Sequence, residues 1–429
     1  MKLNYPPTLL IGFAFMSISA FWQMYDSIIP LILTNNFSID ETLRGVIMAL
    51  DNVLALFMLP LIGVLSDRLD TKFGKRMPFI VIGTVSAIIA MLLLSFSVTA
   101  GRFVLFIIAL GLVLVSMGFY RSPAVALMPD LTPAPLRSKA NAIINLMGAL
   151  GGVYTLALIA LLVKEDGSYI PIFACVAGLM AVSVAILAIT VRERKIKSQF
   201  AVETAGENNA VNIEQQTAPQ KGGKLPREVV KSLALMLASV FLWFTAYNGV
   251  TSVYSVYAQQ VWGLKGGSFA SGMMIAMIAA VISFIPIGFI STVLGRKKVI
   301  LGGIVLIAAA YAGMMFITEY SAFVYIMLVL VGIGWAAINV NSYPMVVQMG
   351  SEGEIGKYTG VYYTFSMAAQ IFTPIFSGWL ISLLGYKVLF PYAFIFSAAA
   401  FVVFIFVRHG DAKPQKRATV LENYESADD

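Results

Sequence analysis

The 429-residue chain is too apolar for a soluble protein, since only 12% of its residues are charged against about 25% in ordinary soluble domains. Its mean hydropathy is +0.85 and its formal net charge is +7. This composition excludes a cytosolic enzyme and a nucleic-acid-binding protein, and it fits basic loops that flank membrane helices. With one cysteine (Cys175) and one histidine (His409), the chain cannot form an internal disulfide, and we expect neither a metal site nor a cofactor.

Apolar stretches long enough to cross a bilayer, which takes about 20 residues, recur along the chain. We predict twelve transmembrane helices at residues 8–34, 43–66, 78–98, 103–128, 139–163, 169–191, 229–258, 268–293, 299–318, 321–347, 357–384 and 388–408. The first stretch is too long for the apolar core of a signal peptide and has no small-residue cleavage site behind it. We therefore expect it to remain as the first helix.

The longest polar stretch divides the predicted helices six and six. It spans 192–228, has no amphipathic period and is typical of a flexible linker. The sequence thus predicts an N-terminal bundle (1–191), a linker (192–228), a C-terminal bundle (229–408) and a polar tail (409–429). A faint repeat relates the halves, because Gly63 to Arg76 after helix 2 resembles Gly288 to Lys298 after helix 8. The predicted fold class is an all-α membrane protein of two pseudo-symmetric six-helix bundles, with a transport site between them near the midplane.

Lysine and arginine are distributed unevenly between the two ends of these helices. The end that includes both termini and the linker, here called the basic end, carries 23 of them. The opposite end carries five: Arg44, Arg102, Lys164, Lys265 and Lys387. Because basic loops stay in the cytoplasm, we predict that both termini and the linker are cytoplasmic and that the protein lies in a plasma membrane, the inner membrane of a bacterium.

The loop after helix 2 carries a recognisable motif, formed by Gly63, Asp67, Arg68, Gly74, Lys75 and Arg76. It resembles the loop 2–3 signature of the major facilitator superfamily, with an insertion. The longer loop, and the stretch from Arg121-Ser122-Pro123 to Ala140-Asn141-Ala142, are similar to sucrose/proton symporters and to glycoside–cation symporters of the melibiose-carrier type. The resemblance implies the major facilitator fold and symport of a disaccharide or glycoside by alternating access, without enzymatic activity.

The motif has a physical logic as a gate. Asp67 ends helix 2 and can pair with a nearby arginine or a helix N-terminus in one conformation and release it in the other. Gly63 and Gly74 allow close helix approach and a tight turn. The alternative is that Arg68, Lys75 and Arg76 only set the topology. The copy after helix 8 has Thr292 in place of the acidic residue, which leaves a C-terminal gate in doubt.

Three ionisable residues are predicted well inside helices: Asp26, Asp51 and Arg121. At 1.5 Å per residue each lies roughly 12–13 Å from its nearer membrane face, so all three are close to the midplane. Such charges cost at least about 2.5 kcal/mol to insert and indicate a functional site. We predict that Arg121 pairs with one of the aspartates and that the three couple transport to protons. The alternative is a static ion pair that fixes helix packing.

The resemblance also bears on the coupling ion. Melibiose-type carriers have an acidic residue at the position of Arg121, and their sodium-binding carboxylates on helix 2 align with Ala55 and Leu59. These departures imply protons rather than sodium, with sodium kept as an alternative.

Polar and aromatic residues share helix faces in a way that suits a sugar, whose hydroxyls bind amides and carboxylates and whose ring stacks on aromatic side chains. The predicted substrate-binding residues are Trp22, Asp26, Asn52, Arg121, Asn141, Asn145, Trp243, Tyr247, Asn248, Trp335 and Asn339. The alternative is that these side chains join helices or form interfacial belts.

The sequence therefore predicts a monomeric, proton-coupled sugar symporter whose partners are the sugar, the proton and the bilayer. A transporter of another polar or amphipathic solute, and a receptor that senses sugar without moving it, remain open. A membrane-embedded enzyme is disfavoured because histidine ligands, a GxSxG motif and paired catalytic carboxylates are missing from the sequence.

Overall fold

The computed structural model describes residues 5–69, 71–132, 137–165, 168–191, 193, 226–350 and 355–411. In this part of the chain almost every residue is helical, and the only β-pairing is an isolated bridge between Thr71 and Gly74. The helices of the N-terminal half are α1 (Tyr5–Asn35), α2 (Glu41–Arg68), α3 (Met77–Thr99), α4 (Phe103–Asp130), α5 (Arg137–Leu162) and α6 (Ile170–Thr190). Those of the C-terminal half are α7 (Arg227–Thr251), α8 (Tyr254–Gln260), α9 (Ala270–Leu294), α10 (Arg296–Met314), α11 (Ala322–Gln348), α12 (Ile355–Leu384) and α13 (Leu389–Ile405).

All twelve predicted transmembrane helices are confirmed. Eleven of the described helices are long and apolar enough to cross a membrane, and the twelfth span, Tyr386–Ile405, is formed by the 3-10 turn Tyr386–Val388 together with α13. The short α8 is not a span. One prediction differs in detail, since 229–258 is not one helix but α7 and α8 with a break at Ser252–Val253. The hydroxyls of Thr251 and Ser252 both donate to the carbonyl of Asn248, which is typical of polar side chains that compete with the helical backbone.

The two halves repeat the same packing. In the N-terminal half α1 packs on α5 and α6, α4 packs on α2 and α3, and α3 packs on α6. In the C-terminal half, the six spans in chain order are α7 and α9–α13, and they correspond to α1–α6. There α7 packs on α12 and α13, α11 packs on α9 and α10, and α10 packs on α13. Each of these five pairs in one half thus has its counterpart in the other, as the predicted pseudo-symmetry requires.

The halves meet along α2 with α12 and along α5 with α9. Near the start of α2, a Cβ added to Gly45 would lie 2.0 Å from the carbonyl oxygen of Pro374, and one added to Gly378 would lie 2.4 Å from the carbonyl oxygen of Glu41. Glycine is required at both positions, because any side chain would separate the two backbones. These contacts lie at the opposite end, away from the basic end, and they bring the backbones of the two halves into direct contact there.

The predicted linker 192–228 falls outside the described residues except for Glu193 and residues 226–228. Of the predicted tail 409–429, residues 409–411 are described. They pack against the C-terminal half, whereas residues 412–429 lie outside the described part.

Candidate functional site

The structure brings the three intramembrane ionisable residues together. Asp26 on α1, Asp51 on α2 and Arg121 on α4 lie within electrostatic range of one another. Asp26 and Arg121 line a cavity of about 350 Å³. Asp51 is not among the lining residues. The backbone and side-chain amides of Asn52 donate to its Oδ1 at 2.6 and 2.7 Å. Asn52, predicted to bind substrate, is thus occupied by its neighbour in this conformation.

Arg121 is held beside an aromatic ring rather than against a carboxylate. Its guanidinium carbon lies 5.6 Å from the centroid of the Trp22 ring. Trp22 is in turn fixed edge-on by Phe21 and Tyr25, with centroids 5.1 and 5.5 Å away. Among the described residues, no carboxylate oxygen lies within 4.0 Å of Arg121. The direct pair with an aspartate that the sequence predicts is therefore not formed in this conformation.

The cavity is built almost wholly by the N-terminal half. Its walls come from α1, α4 and α5, and α9 contributes one residue: the lining is Phe15, Ile18, Ser19, Trp22, Gln23, Asp26, Arg121, Val125, Gly148, Ala149, Gly152 and Met277. Gln23 and Met277 were not predicted as site residues from the sequence. A lone amide between Trp22 and Asp26 in an apolar helix was a usable signal for Gln23, whereas an ordinary methionine carries none.

Two glycines of α5 shape this wall. A Cβ on Gly148 would lie 2.9 Å from the hydroxyl of Ser19, and one on Gly152 would lie 2.8 Å from the sulfur of Met277. Gly152 therefore provides the notch into which the C-terminal half inserts its one contribution to the cavity.

The C-terminal half contains an aromatic stack that lies outside the cavity lining. Tyr247 on α7 and Trp335 on α11 are parallel, with ring centroids 3.8 Å apart and an interplanar angle of 3°. Tyr247 lies within range of the Asp26 charge, so the stack faces the N-terminal half. Tyr247 covers one face of the Trp335 ring, and Phe244 contacts that ring edge-on. These two contacts reduce the area of the Trp335 ring that a ligand could contact.

Other predicted substrate-binding residues lie outside the cavity lining. Trp243 is 2% exposed and packs in the core against Phe404. Asn339 donates to the carbonyl of Trp335 in its own helix at 3.3 Å. The amide nitrogen of Asn248 is buried, with no hydrogen-bond partner among the described residues. Asn141 and Asn145 are exposed on α5, one to two turns from Gly148 towards the basic end.

The loop after α2 forms a charged network at the basic end. The guanidinium of Arg76 pairs with Asp67, and its Nε lies 3.0 Å from Oδ2 of Asp130 at the end of α4. Lys75 reaches the carbonyl of Asp67 at 3.4 Å, and the backbone N–H of Arg76 donates to Glu193 at 3.1 Å. Asp67 thus pairs with an arginine as the motif suggested. Asp130 and Glu193 were not predicted as members of this network, although an acidic residue at the end of an apolar helix was a signal for both.

The opposite end is closed by a polar cluster that joins the halves, formed by Glu41, Arg44 and Tyr386. Arg44 is 2% exposed, pairs with Glu41 and donates to the hydroxyl of Tyr386 at 3.2 Å. The same hydroxyl donates to Glu41. From the sequence, Arg44 was predicted only as a loop charge of the opposite end, because the sequence near a helix start does not indicate whether a basic residue is buried.

Three further contacts reinforce this closure. Ser382 donates to Asp40 at 3.1 Å, Asn35 donates to Gln259 at 2.8 Å, and the backbone N–H of Gly267 donates to the carbonyl of Val163 at 2.8 Å. The backbone N–H of Thr42, together with Ser382, holds the pKa of the Asp40 carboxyl below its usual range, so Asp40 stays ionised here. This conformation is therefore closed at the opposite end.

Comparison with known proteins gives a family and a fold. The model of the Major Facilitator Superfamily matches residues 11–372 and, in an overlapping second match, residues 273–423. The sucrose transport protein SUC3 of Arabidopsis thaliana is 29% identical over 120 residues, covering 24% of this chain and 20% of that protein. The chain thus matches only about a fifth of the length of that relative.

Solved structures of transporters share the fold at low sequence identity. The nucleoside transporter NupG has a TM-score of 0.71 and 13% identity, covering 94% of this chain and 99% of that chain. A POT family transporter in complex with a thioalcohol-conjugated peptide has a TM-score of 0.68 and 14% identity, covering 94% and 95%. The family model spans most of the residues that form the two six-helix bundles, and these transporters have the same architecture. The chain therefore belongs to the Major Facilitator Superfamily of transporters.

Proposed function

We propose that the protein is a proton-coupled symporter of a sugar, a disaccharide or a glycoside. The observation that carries the proposal is that Asp26 and Arg121 line one cavity near the midplane without a direct ion pair. A guanidinium and a carboxyl group left apart in an apolar surrounding are costly unless an occupant satisfies their hydrogen-bonding groups. A polyhydroxylated ligand supplies both donors and acceptors to do so.

The polar lining suits such a ligand. Gln23 donates to Ser27 at 3.1 Å, which leaves its amide oxygen as an acceptor beside the carboxylate of Asp26. The guanidinium of Arg121 offers five N–H donors. The Tyr247–Trp335 stack does not line the cavity in this conformation. We propose that it comes into contact with the sugar ring when the two halves move, since aromatic rings of this kind pack against sugars.

Asp26 is the better candidate for the proton carrier. It lines the cavity, whereas Asp51 is engaged with Asn52. We propose that Asp26 is protonated when substrate occupies the cavity and that, after release, its carboxylate moves to Arg121 and stays ionised. A carboxylate that changes partners in this way takes up a proton in one conformation and loses it in the other.

Transport then needs the two halves to rock about this site. The present conformation is closed at the opposite end by the Glu41–Arg44–Tyr386 cluster and by the glycine contacts of α2 with α12. We propose that the network around Arg76, Asp67 and Asp130 acts as the gating element at the basic end. Opening one end and closing the other is the alternating access on which symport depends.

The orientation follows from charge. We propose that the basic end faces the cytoplasm of a bacterial cell and that the protein acts as a monomer in the inner membrane. Reporter fusions in the linker and after the tail should be active only for a reporter that works in the cytoplasm. A periplasmic signal at either position contradicts this topology.

Support for a sugar comes also from the local similarity to a sucrose transport protein. The fold alone equally accommodates nucleosides and peptides, which are named for NupG and the POT transporters. Transport of another polar solute is therefore the second candidate.

A thermal-shift screen of the purified protein separates these candidates. We expect stabilisation by sucrose or another disaccharide and none by uridine or dialanine, because a ligand that binds only the folded state raises Tm. Flux of the stabilising compound into proteoliposomes then shows transport rather than sensing alone. Stabilisation only by a nucleoside or a peptide, or binding without flux, contradicts the proposal.

A further inference from the structure

A methionine of the C-terminal half reaches into the cavity of the N-terminal half. Met277 on α9 lines the cavity together with Gln23 and Gly152. A Cβ on Gly152 would lie 2.8 Å from both the sulfur and the terminal methyl carbon of Met277, and 3.9 Å from Oε1 of Gln23. The end of the methionine side chain therefore rests on the bare backbone of Gly152, where α5 of one half meets α9 of the other.

This contact lies on the side of the cavity that is nearer the opposite end. Met277 is seven residues into α9, about 10 Å from the start of that helix at the opposite end. On α5, the lining residue farthest from the basic end is Gly152. Beyond it the halves are in direct contact, since a Cβ on Gly267 would lie 1.9 Å from the carbonyl oxygen of Ile159. Met277 thus lies between the cavity and the closed part of the α5–α9 interface.

Towards the basic end, the same two helix faces are exposed. Phe284 follows Met277 by two helical turns on one face of α9 and is 38% exposed. A Cβ on Gly288, one turn further, would meet no atom of the described residues within 4 Å. Asn145, two turns before Gly152 on its face of α5, is also exposed. The Met277–Gly152 contact therefore lies between the closed part of these faces and the part that is uncovered.

Contacts between a methionine and a glycine also occur within each half. A Cβ on Gly313 of α10 would lie 2.7 Å from the sulfur of Met327 on α11. One on Gly118 of α4 would lie 3.1 Å from the sulfur of Met58 on α2. These residues do not line the cavity. The contact of Met277 differs from them because it joins the two halves and because its side chain borders the space for a ligand.

We propose that Met277 is the specificity-determining residue that the C-terminal half contributes to the cavity, and that its thioether limits the size of the ligand. An unbranched thioether can fill an irregular gap closely. The wall that it forms beside Gly152 decides how far a ligand extends along α5 towards the opposite end. For a saccharide, which rests on the proposed function, this limit selects a disaccharide over a trisaccharide.

The first test needs no knowledge of the substrate. In the purified full-length protein with Cys175→Ser, the reporter Ser19→Cys places the single thiol in the cavity wall. Its rates of reaction with methyl and with benzyl methanethiosulfonate compare a small with a bulky occupant. We expect Met277→Ala to raise the ratio of the benzyl rate to the methyl rate by on the order of tenfold, as for other changes in the wall of an apolar pocket. Met327→Ala is the matched control and should leave the ratio unchanged.

Two further variants test the direction of the effect. Met277→Leu conserves the volume of the side chain, so its ratio should stay close to that of the reporter protein. Gly152→Ala adds a methyl group to the cavity wall itself and should lower the ratio. If Met277→Ala does not yield folded protein, Gly152→Ala tests the same wall with the opposite sign, and an unchanged ratio in it contradicts the role of this contact.

The second test measures uptake of radiolabelled sucrose and of raffinose, a trisaccharide, into proteoliposomes. The wild-type protein should take up sucrose and exclude raffinose. Met277→Ala should raise the ratio of raffinose uptake to sucrose uptake by about tenfold, whereas Met327→Ala should not change it.

The outcomes separate this inference from the proposed function. An unchanged labelling ratio in folded Met277→Ala overturns the inference whatever the substrate is. Sucrose uptake with continued exclusion of raffinose by Met277→Ala, or uptake of raffinose by the wild-type protein at the rate of sucrose, also overturns it. A raised labelling ratio without uptake of either saccharide by the wild-type protein supports the size limit and contradicts the proposed function instead.

Discussion

The guanidinium carbon of Arg121 lies 5.6 Å from the centroid of the Trp22 ring, and no carboxylate of the described residues lies within 4.0 Å of it. A cation–π contact is worth about 2 kcal/mol when desolvated. That is enough to hold the side chain in place while its N–H donors stay available to the cavity. This placement supports the proposal that Arg121 exchanges partners between a substrate and Asp26.

This placement predicts that Arg121 is needed for every mode of transport. Arg121→Ala should lower both accumulation and exchange of substrate by more than about tenfold, because it removes the charge and the donors together. Arg121→Lys should recover part of the exchange, since lysine keeps the charge but not the planar donor set. Arg102→Ala removes an exposed arginine at the other end of α4 and serves as the control. Radiolabelled sucrose flux in proteoliposomes measures all three, and full activity of Arg121→Ala contradicts the site.

The hydroxyl of Tyr386 should stabilise the closed opposite end. Tyr386→Phe keeps the ring but removes the hydrogen bonds to Glu41 and Arg44. A reporter cysteine, Val163→Cys in a Cys175→Ser background, measures opening of the opposite end, because Val163 is 5% exposed there. We expect Tyr386→Phe to raise its rate of labelling by a maleimide by about tenfold, since each lost hydrogen bond involves a charged group. Tyr392→Phe is the control, because that hydroxyl donates to Thr245 within the same half. Equal labelling rates in the two variants would show that the cluster does not control closure.

Closure should also depend on the glycine contact between α2 and α12. In Gly45→Ala the added methyl would lie 2.0 Å from the carbonyl oxygen of Pro374, well inside van der Waals contact. The variant should remain open at the opposite end and lose transport while it still folds. Gly111→Ala meets no atom within 4 Å and controls for the helix propensity of alanine. If Gly45→Ala leaves the labelling rate of Val163→Cys equal to that of the reporter protein without this substitution, the glycine contact does not control closure.

The Asp67–Arg76 pair should act on the rate of conformational exchange and not on substrate affinity. Asp67 lies at the end of α2, away from the cavity, so Asp67→Asn should lower Vmax several-fold and leave the half-saturating sucrose concentration within about twofold. Lys72→Ala, an exposed basic residue of the same loop, is the control. A changed half-saturating concentration with normal Vmax would place Asp67 in binding instead.

The fold was largely predictable because a membrane span leaves a strong pattern. Twenty apolar residues in succession have few alternatives to a helix in lipid, so all twelve spans followed from composition and length. The break at Ser252–Val253 was not predictable from hydropathy. It depends on hydroxyls that bond to the backbone, and the apolar pattern continues through it.

The candidate site was predictable only in part. Asp26, Asp51 and Arg121 stand out because charges inside apolar helices are rare, and the structure does bring them together. Partners that depend on three-dimensional placement were beyond reach. Helical spacing puts Trp243 close to Tyr247, but only packing shows that one ring lies in the core and the other faces Asp26.

The central claim is that Asp26 carries the proton that drives sugar uptake. It is tested by comparing the wild-type protein with Asp26→Asn in proteoliposomes. One assay measures accumulation of sucrose under an inward proton gradient, and the other measures exchange in liposomes loaded with sucrose. The wild-type protein should accumulate radiolabelled sucrose against its gradient, and a protonophore should abolish this. Asp26→Asn cannot titrate, so it should fail to accumulate sucrose yet still exchange external for internal sucrose. Proton-driven accumulation by Asp26→Asn at the wild-type level, or wild-type accumulation that survives the protonophore and requires sodium, would contradict the account.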